Sequence, residues 1–377
     1  MKPGAAMITV SLIISLLSFT AEAQPAPLQG LLNNPESVVY DPPRCRYLVS
    51  NWSDGNIIAI DSLGNQTYFN TEMDQAAGLH IVENTIYAAS TEGTITGIIG
   101  FDLETGTRIF TLDIPEKVLL NDITSDGSEY LYVTDCEADR IYTVRLSDLT
   151  CSVLVDSGLG YPNGILYDEN AEKLLVLNGG LSGRPLLAVN LADTSLSVVV
   201  ETGLNAIDGL TTDNDGYTYF SSWFTDKVYR YDSEFTNPAE IVSEGHYNPA
   251  DIFINTIDDI LAVPNFNGNT VDLIPLLPQS SPGGGTVRGE ISLTIQPNPF
   301  RNEIAVTYQI PSCESVDELS IFGLDGRLIR TFPDAGEFGE LTWMGIDDNG
   351  NTLPPGVYII VIRTSDEILT QQILKLN

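Results

Sequence analysis

The chain has 377 residues and a formal net charge of −34, from 51 Asp and Glu against 17 Lys and Arg. Such a field repels phosphate backbones and anionic lipid and attracts divalent cations, so nucleic acid and acidic membrane surfaces are poor partners and no nucleic acid is expected. Hydrophobic residues make up 43% of the chain, which rules out global disorder, and the two histidines, His80 and His246, exclude imidazole-rich zinc sites and argue against a Ser-His-Asp triad.

Lys2 precedes an apolar run from Met7 to Phe19, and Ala21, Glu22 and Ala23 follow it. This pattern predicts a secretory signal peptide over residues 1–23, cleaved before Gln24. The run is short for a bilayer span of about 20 residues, and no later stretch is apolar enough to cross one, so the mature chain is expected to be exported without a transmembrane segment. Export permits disulfides among Cys45, Cys136, Cys151 and Cys313. Four cysteines allow three pairings, of which Cys136 with Cys151 is the nearest in sequence. No C-x-x-C spacing occurs, so the cysteines carry no metal or redox motif.

Residues 35 to 276 repeat. Six segments begin with a short turn and continue as an apolar strand; their second residues are Glu36, Ala77, Asn121, Asn163, Asp208 and Ala250, separated by 41, 44, 42, 45 and 42 positions. Each unit continues with a polar turn such as 125–128 or 213–216, a second strand such as 130–134 or 217–221, a third such as 140–144 or 227–232, and a weaker fourth such as 152–156. Four short alternating strands in a period of about 40 to 45 residues predict β-propeller blades, six of them over 24–276. The sixth unit is short after Leu276, so ring closure is expected to borrow a strand from the residues before Pro35.

Residues 277–290 include the run Pro278, Gln279, Ser280, Ser281, Pro282 and three glycines, a flexible linker by composition. About seven short strands then follow over 291–377, which predict an immunoglobulin-like sandwich. The expected fold class is all-β: a six-bladed β-propeller followed by a small immunoglobulin-like β-sandwich. Five motifs in order give more detail: Pro297 to Phe300, Ile321 to Arg327, Trp343 with Asp347 to Gly350, Pro355 to Tyr358, and Lys375. This stretch resembles the type A C-terminal sorting domain of the bacterial type IX secretion system. The resemblance implies that residues 291–377 engage that machinery as a partner. The protein would then be secreted or held at the outer-membrane surface of a bacterium.

Within the repeat, the innermost strand of every blade starts at the same end of the central channel, so Glu36, Ala77, Asn121, Asn163, Asp208 and Ala250 form a ring at its mouth. Four of them carry side-chain oxygens, the chemistry that hard cations take. Asn and Asp before Gly also favour turns, which accounts for Asn163 and Asp208 singly but not for Glu36 at the same register. Asp122 and Asp251, one position further on, are expected to face away, as turn or inter-blade residues. The segments 213–216 and 347–350 echo calcium loops but lack the EF-hand spacing and its late Glu, so they read as turns. Trp52 and Trp223 end second strands and read as core or inter-blade residues, with a pocket mouth as the alternative.

Glu36 to Tyr40, Leu120 to Asp122, Pro162 to Ile165 and Asp208 to Leu210 resemble the four ring motifs of the regucalcin/gluconolactonase (senescence-marker) family over about 30–275. The resemblance implies that Glu36, Asn163 and Asp208 ligate a divalent cation, with calcium first and magnesium, manganese or zinc as alternatives. It further implies that Asn121 contacts substrate or water and that Asp208 is the catalytic base, unless a water on the ion takes that role. The family's sugar-lactone enzymes place an Arg two residues before that Asn; here the position is Leu119, which removes a partner for a polyhydroxylated lactone. Two functions follow. One is an exported metal-dependent hydrolase of a lactone or related ester. The other is a non-catalytic propeller that binds an unidentified surface ligand and holds a structural cation.

Overall fold

The computed structural model describes residues 30–180, 185–276, 292–310, 316–332, 338–364 and 368–376. The expected leader, the linker and Cys313 lie outside the described residues. These contain no α-helix, only two short 3-10 turns, Pro42–Arg44 and Phe266–Gly268, and no helix among them is long and apolar enough to cross a membrane.

Up to residue 276 the strands form six successive antiparallel sheets, each meandering in chain order, five of four strands and one of three. The third sheet shows why: Leu120–Ser125 and Tyr130–Asp135 are almost wholly buried, Arg140–Arg145 is mixed, and Thr150–Val155 is largely exposed. Inner strands packed on both faces read as apolar runs, whereas the outermost strand alternates. Every pair of neighbouring sheets shares its own apolar core, including the sixth and the first, where Ala262 and Val271 pack with Val38, Tyr47 and Ile58. The sheets therefore close into a ring, and the fold is a propeller.

The expected borrowed strand is not found among the described residues. The sixth blade consists of Phe253–Asn255, Ile260–Asn265 and Thr270–Pro275, and residues 30–34 add no strand to it. Side chains make the seam instead. Ser37 Oγ donates to Asp251 Oδ2 at 2.5 Å, and Asn34 donates its backbone N–H to Asn269 Oδ1 at 2.7 Å and its amide to Phe266 O at 3.0 Å.

Around the channel, neighbouring blades interlock through the carbonyls of the ring residues. Ser50, Thr134 and Ser221 Oγ atoms donate to the carbonyls of Ala77, Asn163 and Ala250 at 2.6, 2.9 and 2.7 Å. The same hydroxyls accept the N–H of Ser37, Asp122 and Gly209 within their own blades. The carbonyls of Glu36 and Asn121 accept the N–H of Asp251 and Gly78 at 2.9 and 2.6 Å. This approach requires glycine: a Cβ on Gly209 would lie 2.3 Å from Ile252 N, and one on Gly78 would lie 2.5 Å from Asn121 O.

Beyond residue 291, seven strands form two sheets. One holds Ser292–Gln296, Ile304–Gln309 and Phe338–Trp343; the other holds Leu328–Thr331, Glu318–Gly323, Gly356–Arg363 and Ile368–Lys375. Trp343 is central to their core, with Phe300 and Tyr358 rings each 5.5 Å away and its indole N–H donated to Ile346 O at 2.9 Å.

Thr134→Val keeps the shape of a buried side chain while stranding one N–H and one carbonyl. It is expected to cost about 2 kcal/mol or more, and Thr134→Ser to recover most of that. Urea unfolding midpoints of the two variants check this.

Candidate functional site

The first strands of four blades, Pro35–Asp41, Leu120–Ser125, Pro162–Asp168 and Ile207–Thr212, begin one residue before Glu36, Asn121, Asn163 and Asp208. In each, the pairing with the second strand slips just after that first residue: Pro35 pairs with Asn51 but Val38 with Val49, and Ile207 with Ser222 but Leu210 with Phe220. The ring residue thus sits in a β-bulge, which breaks strict alternation and re-aims its side chain. All four line one cavity of about 520 Å³. The ring residues expected to act together are therefore brought together.

The floor of this cavity is acidic and buried. Burial pushes the Glu36 carboxyl well above the usual carboxylate range, and the Asp208 charge pushes it further; Asn121 Nδ2, 3.4 Å from Oε1, pulls it back. Burial, then the Asp122 charge, raises Asp208 to about 7, against the pull of Trp223 and Asn163. Asp208 Oδ1 and the Trp223 indole nitrogen are nevertheless both buried without a hydrogen bond of good geometry. Asp122 and Asp251 are inter-blade residues, as expected. Asp122 Oδ2 accepts the N–H of Ile165 at 2.8 Å, and Asp251 accepts from Ser37. Burial raises both, Asp122 to about 7. Among the described residues, no Lys, Arg or His stands on the cavity lining.

An all-oxygen donor set, an orphaned carboxylate oxygen and uncompensated buried acid fit a hard cation. Among the described residues no group of three or more His, Cys, Asp or Glu is arranged as metal ligands; the donors here are two carboxylates with amides.

Trp52 and Trp223, expected in the core, stand on the cavity lining. Both follow a second strand, and the equivalent position in the sixth blade is Phe266, also on the lining. The preceding positions, Asn51, Ser90, Asp135, Asn178, Ser222 and Asn265, are polar and buried in all six blades. Several hold the loop that leads into the inner strand: Asn51 accepts from Asn33 N, Asp135 from Val118 N and Leu119 N, Asn178 from Gly160 N and Asn265 from Tyr247 N. This polar column was open to the repeat alignment: Asn51, Asp135, Asn178 and Ser222 stand beside the ring, paired with Pro35, Leu120, Pro162 and Ile207, but on the second strand, which the ring motifs do not cover.

A Ser-His-Asp constellation does exist, away from the cavity. Ser243 Oγ lies 2.9 Å from His246 Nε2, whose Nδ1 lies 2.8 Å from Asp272 Oδ2. The nearby N–H groups of Gly245 and His246 are both donated to Asp226 O, which leaves no oxyanion donor there. The three residues clip the fifth blade to the sixth. Cys136 and Cys151 are free, so that pairing is corrected; Cys136 Sγ instead donates to Pro162 O, and Cys45 is disulfide-bonded. The acidic segments at 213 and 347 are turns in which Asp213 and Asp347 accept N–H groups two and four residues on.

Carboxyls raised in the fold keep protons that the unfolded chain releases from about pH 4 upward. Their stabilising contribution is present below that pH and is lost as pH rises through about 7. His80 slopes oppositely, since burial lowers it to about 4. In chelator-treated protein, Asp208→Asn is therefore expected to lose less stability than the parent between pH 5 and pH 8, about 1 kcal/mol per unit of relieved shift. Melting temperatures across that range check it.

No family model and no curated protein matches the chain. Solved structures do. A gluconolactonase from Xanthomonas campestris is 16% identical over 67% of this chain and 88% of its own, with a TM-score of 0.57. A putative gluconolactonase is 16% identical over 68% and 93%, with a TM-score of 0.54. An auxiliary nutrient binding protein from Bacteroides ovatus is 12% identical over 64% and 68%, with a TM-score of 0.53. The chain therefore shares its propeller fold with gluconolactonase-type structures.

Proposed function

We propose that the chain is an exported, divalent-cation-dependent hydrolase of a lactone or related ester, working in the cavity at the channel mouth. The observation that carries this reading is Asp208: a buried carboxylate with an unpartnered oxygen, beside Asn163 and Glu36, in a pocket whose described lining holds no basic side chain. Calcium is the favoured ion, held by Glu36, Asn163 and Asp208. When bound, it supplies positive charge that polarises the scissile carbonyl.

The chain's own groups do the rest. Asn121, whose contact with Glu36 is long at 3.4 Å, donates its amide to orient the substrate carbonyl. Asp208 takes a proton from the attacking water as its oxygen adds to the carbonyl carbon. The carbon–oxygen bond of the ring or ester then breaks, and Asp208 returns the proton to the leaving alkoxide. Burial keeps competing water off the floor. Residues 291–377 carry the chain through the type IX machinery to the outside of a bacterial cell.

A second reading, a non-catalytic propeller with a structural cation, is favoured by Leu119 where an arginine is expected. A panel of lactones and aryl esters, with and without calcium, separates the two. Turnover is expected to need calcium and to fall about a hundredfold or more in Asp208→Ala. Turnover indifferent to chelator and substitution removes the cavity floor from the mechanism. Absent turnover, with calcium still raising the melting temperature, supports the binding propeller. A chain ended before residue 291 is expected to stay in the periplasm of a host with the secretion system, as read by cell fractionation.

A further inference from the structure

The upper wall of the cavity is as distinctive as its floor. The position after each second strand holds Trp52, Thr91, Cys136, Gly179, Trp223 and Phe266 in chain order. The aromatic residues fall on consecutive blades, the fifth, sixth and first. Their rings touch in sequence: Trp223 to Phe266 at 5.0 Å and Phe266 to Trp52 at 6.4 Å, both tilted. Opposite them stand Leu119 and Tyr161, and Phe224 extends outward at 62% exposure. One half of the mouth is a continuous aromatic arc; the described residues of the other half are Leu119, Tyr161 and the small Gly179 and Gly180.

We propose that this arc and Leu119 select an apolar lactone or ester, one with an alkyl or aryl body, over a polyhydroxylated sugar lactone. This rests on the hydrolase reading for its chemistry but not for its binding. The volume of about 520 Å³ suits a small ligand. An alkyl or aryl body laid on the arc gains about 25 cal/mol for each Å² removed from water. Each sugar hydroxyl needs a partner, and among the described residues the wall above the acidic floor offers only the Tyr161 hydroxyl and the indole N–H groups of Trp52 and Trp223. A buried hydroxyl left unpaired costs about 1 to 3 kcal/mol. The wall discriminates by what it lacks as much as by what it touches.

The test uses δ-decalactone, phenyl acetate and D-glucono-δ-lactone. Hydrolysis is followed by proton release, and binding of the two lactones by quenching of tryptophan fluorescence. We expect kcat/KM on δ-decalactone and phenyl acetate to exceed that on gluconolactone by about tenfold or more. Leu119→Arg should narrow that ratio by about tenfold, and Phe266→Ser should raise KM for δ-decalactone with kcat kept. Equal or faster turnover of gluconolactone by the parent overturns the proposal while leaving the hydrolase reading intact. An unchanged ratio in Leu119→Arg also overturns it. If nothing is hydrolysed, the hydrolase reading fails; saturable quenching by δ-decalactone and not by gluconolactone then still upholds the apolar site, and no quenching by δ-decalactone overturns it.

Discussion

The hydrogen bond from one blade to the carbonyl of the next blade's ring residue is the constraint on which the channel mouth depends. It engages Glu36, Ala77, Asn121, Asn163 and Ala250 through their backbones. A residue whose main chain is committed to a neighbour has its side chain left over, and the local bulge turns that side chain to the cavity. The interlock also works against repulsion. Glu36, Asp122, Asp208 and Asp251 are buried near one another with no basic partner among the described residues of the cavity lining. Six apolar interfaces and the hydroxyl bridges hold together what the charges would drive apart. A proton or an external cation is the remaining way to lower that cost.

Much of this was legible in the primary structure because the repeat aligns columns. Once Glu36, Asn121, Asn163 and Asp208 fall in one column of a ring, their meeting in space follows from symmetry alone. What symmetry does not state is the local backbone. The bulges are invisible to a pattern read as strict alternation. Trp52 and Trp223 follow strands whose other residues are core, so alternation assigns them inward, whereas the chain is already turning out of the sheet at that point. The Ser243, His246 and Asp272 contact joins two blades over an irregular turn, which spacing in sequence does not encode. Among the described residues, apolar packing with a few side-chain bonds seals the ring, a means that a count of hydrogen-bonded strands does not state; residues 30–34 add no strand, and the earlier residues expected to supply one lie outside the described residues.

The molecule is symmetric in its frame and asymmetric in its lining. The six buried polar residues that end the second strands repeat around the ring, and Asn51, Asp135, Asn178 and Asn265 among them hold the loop that enters the first strand of their blade. The next position along carries no such duty. It is free to be large on three adjacent blades and small on the others, and that difference gives the mouth a direction. Acid lies below, aromatic surface to one side, and Leu119 with Tyr161 across from it.

The bulge at each ring residue separates two kinds of heredity. Core positions answer to the packing of two blades at once, and ladder positions answer to their strand partners. At Glu36, Asn121 and Asn163 the side chain answers to neither, since the main chain makes the structural bonds whatever the side chain is. Mutations at these few sites can therefore rewrite chemistry without unsettling architecture. A scaffold of this design can drift among substrates, or lose catalysis altogether, while its wheel stays whole.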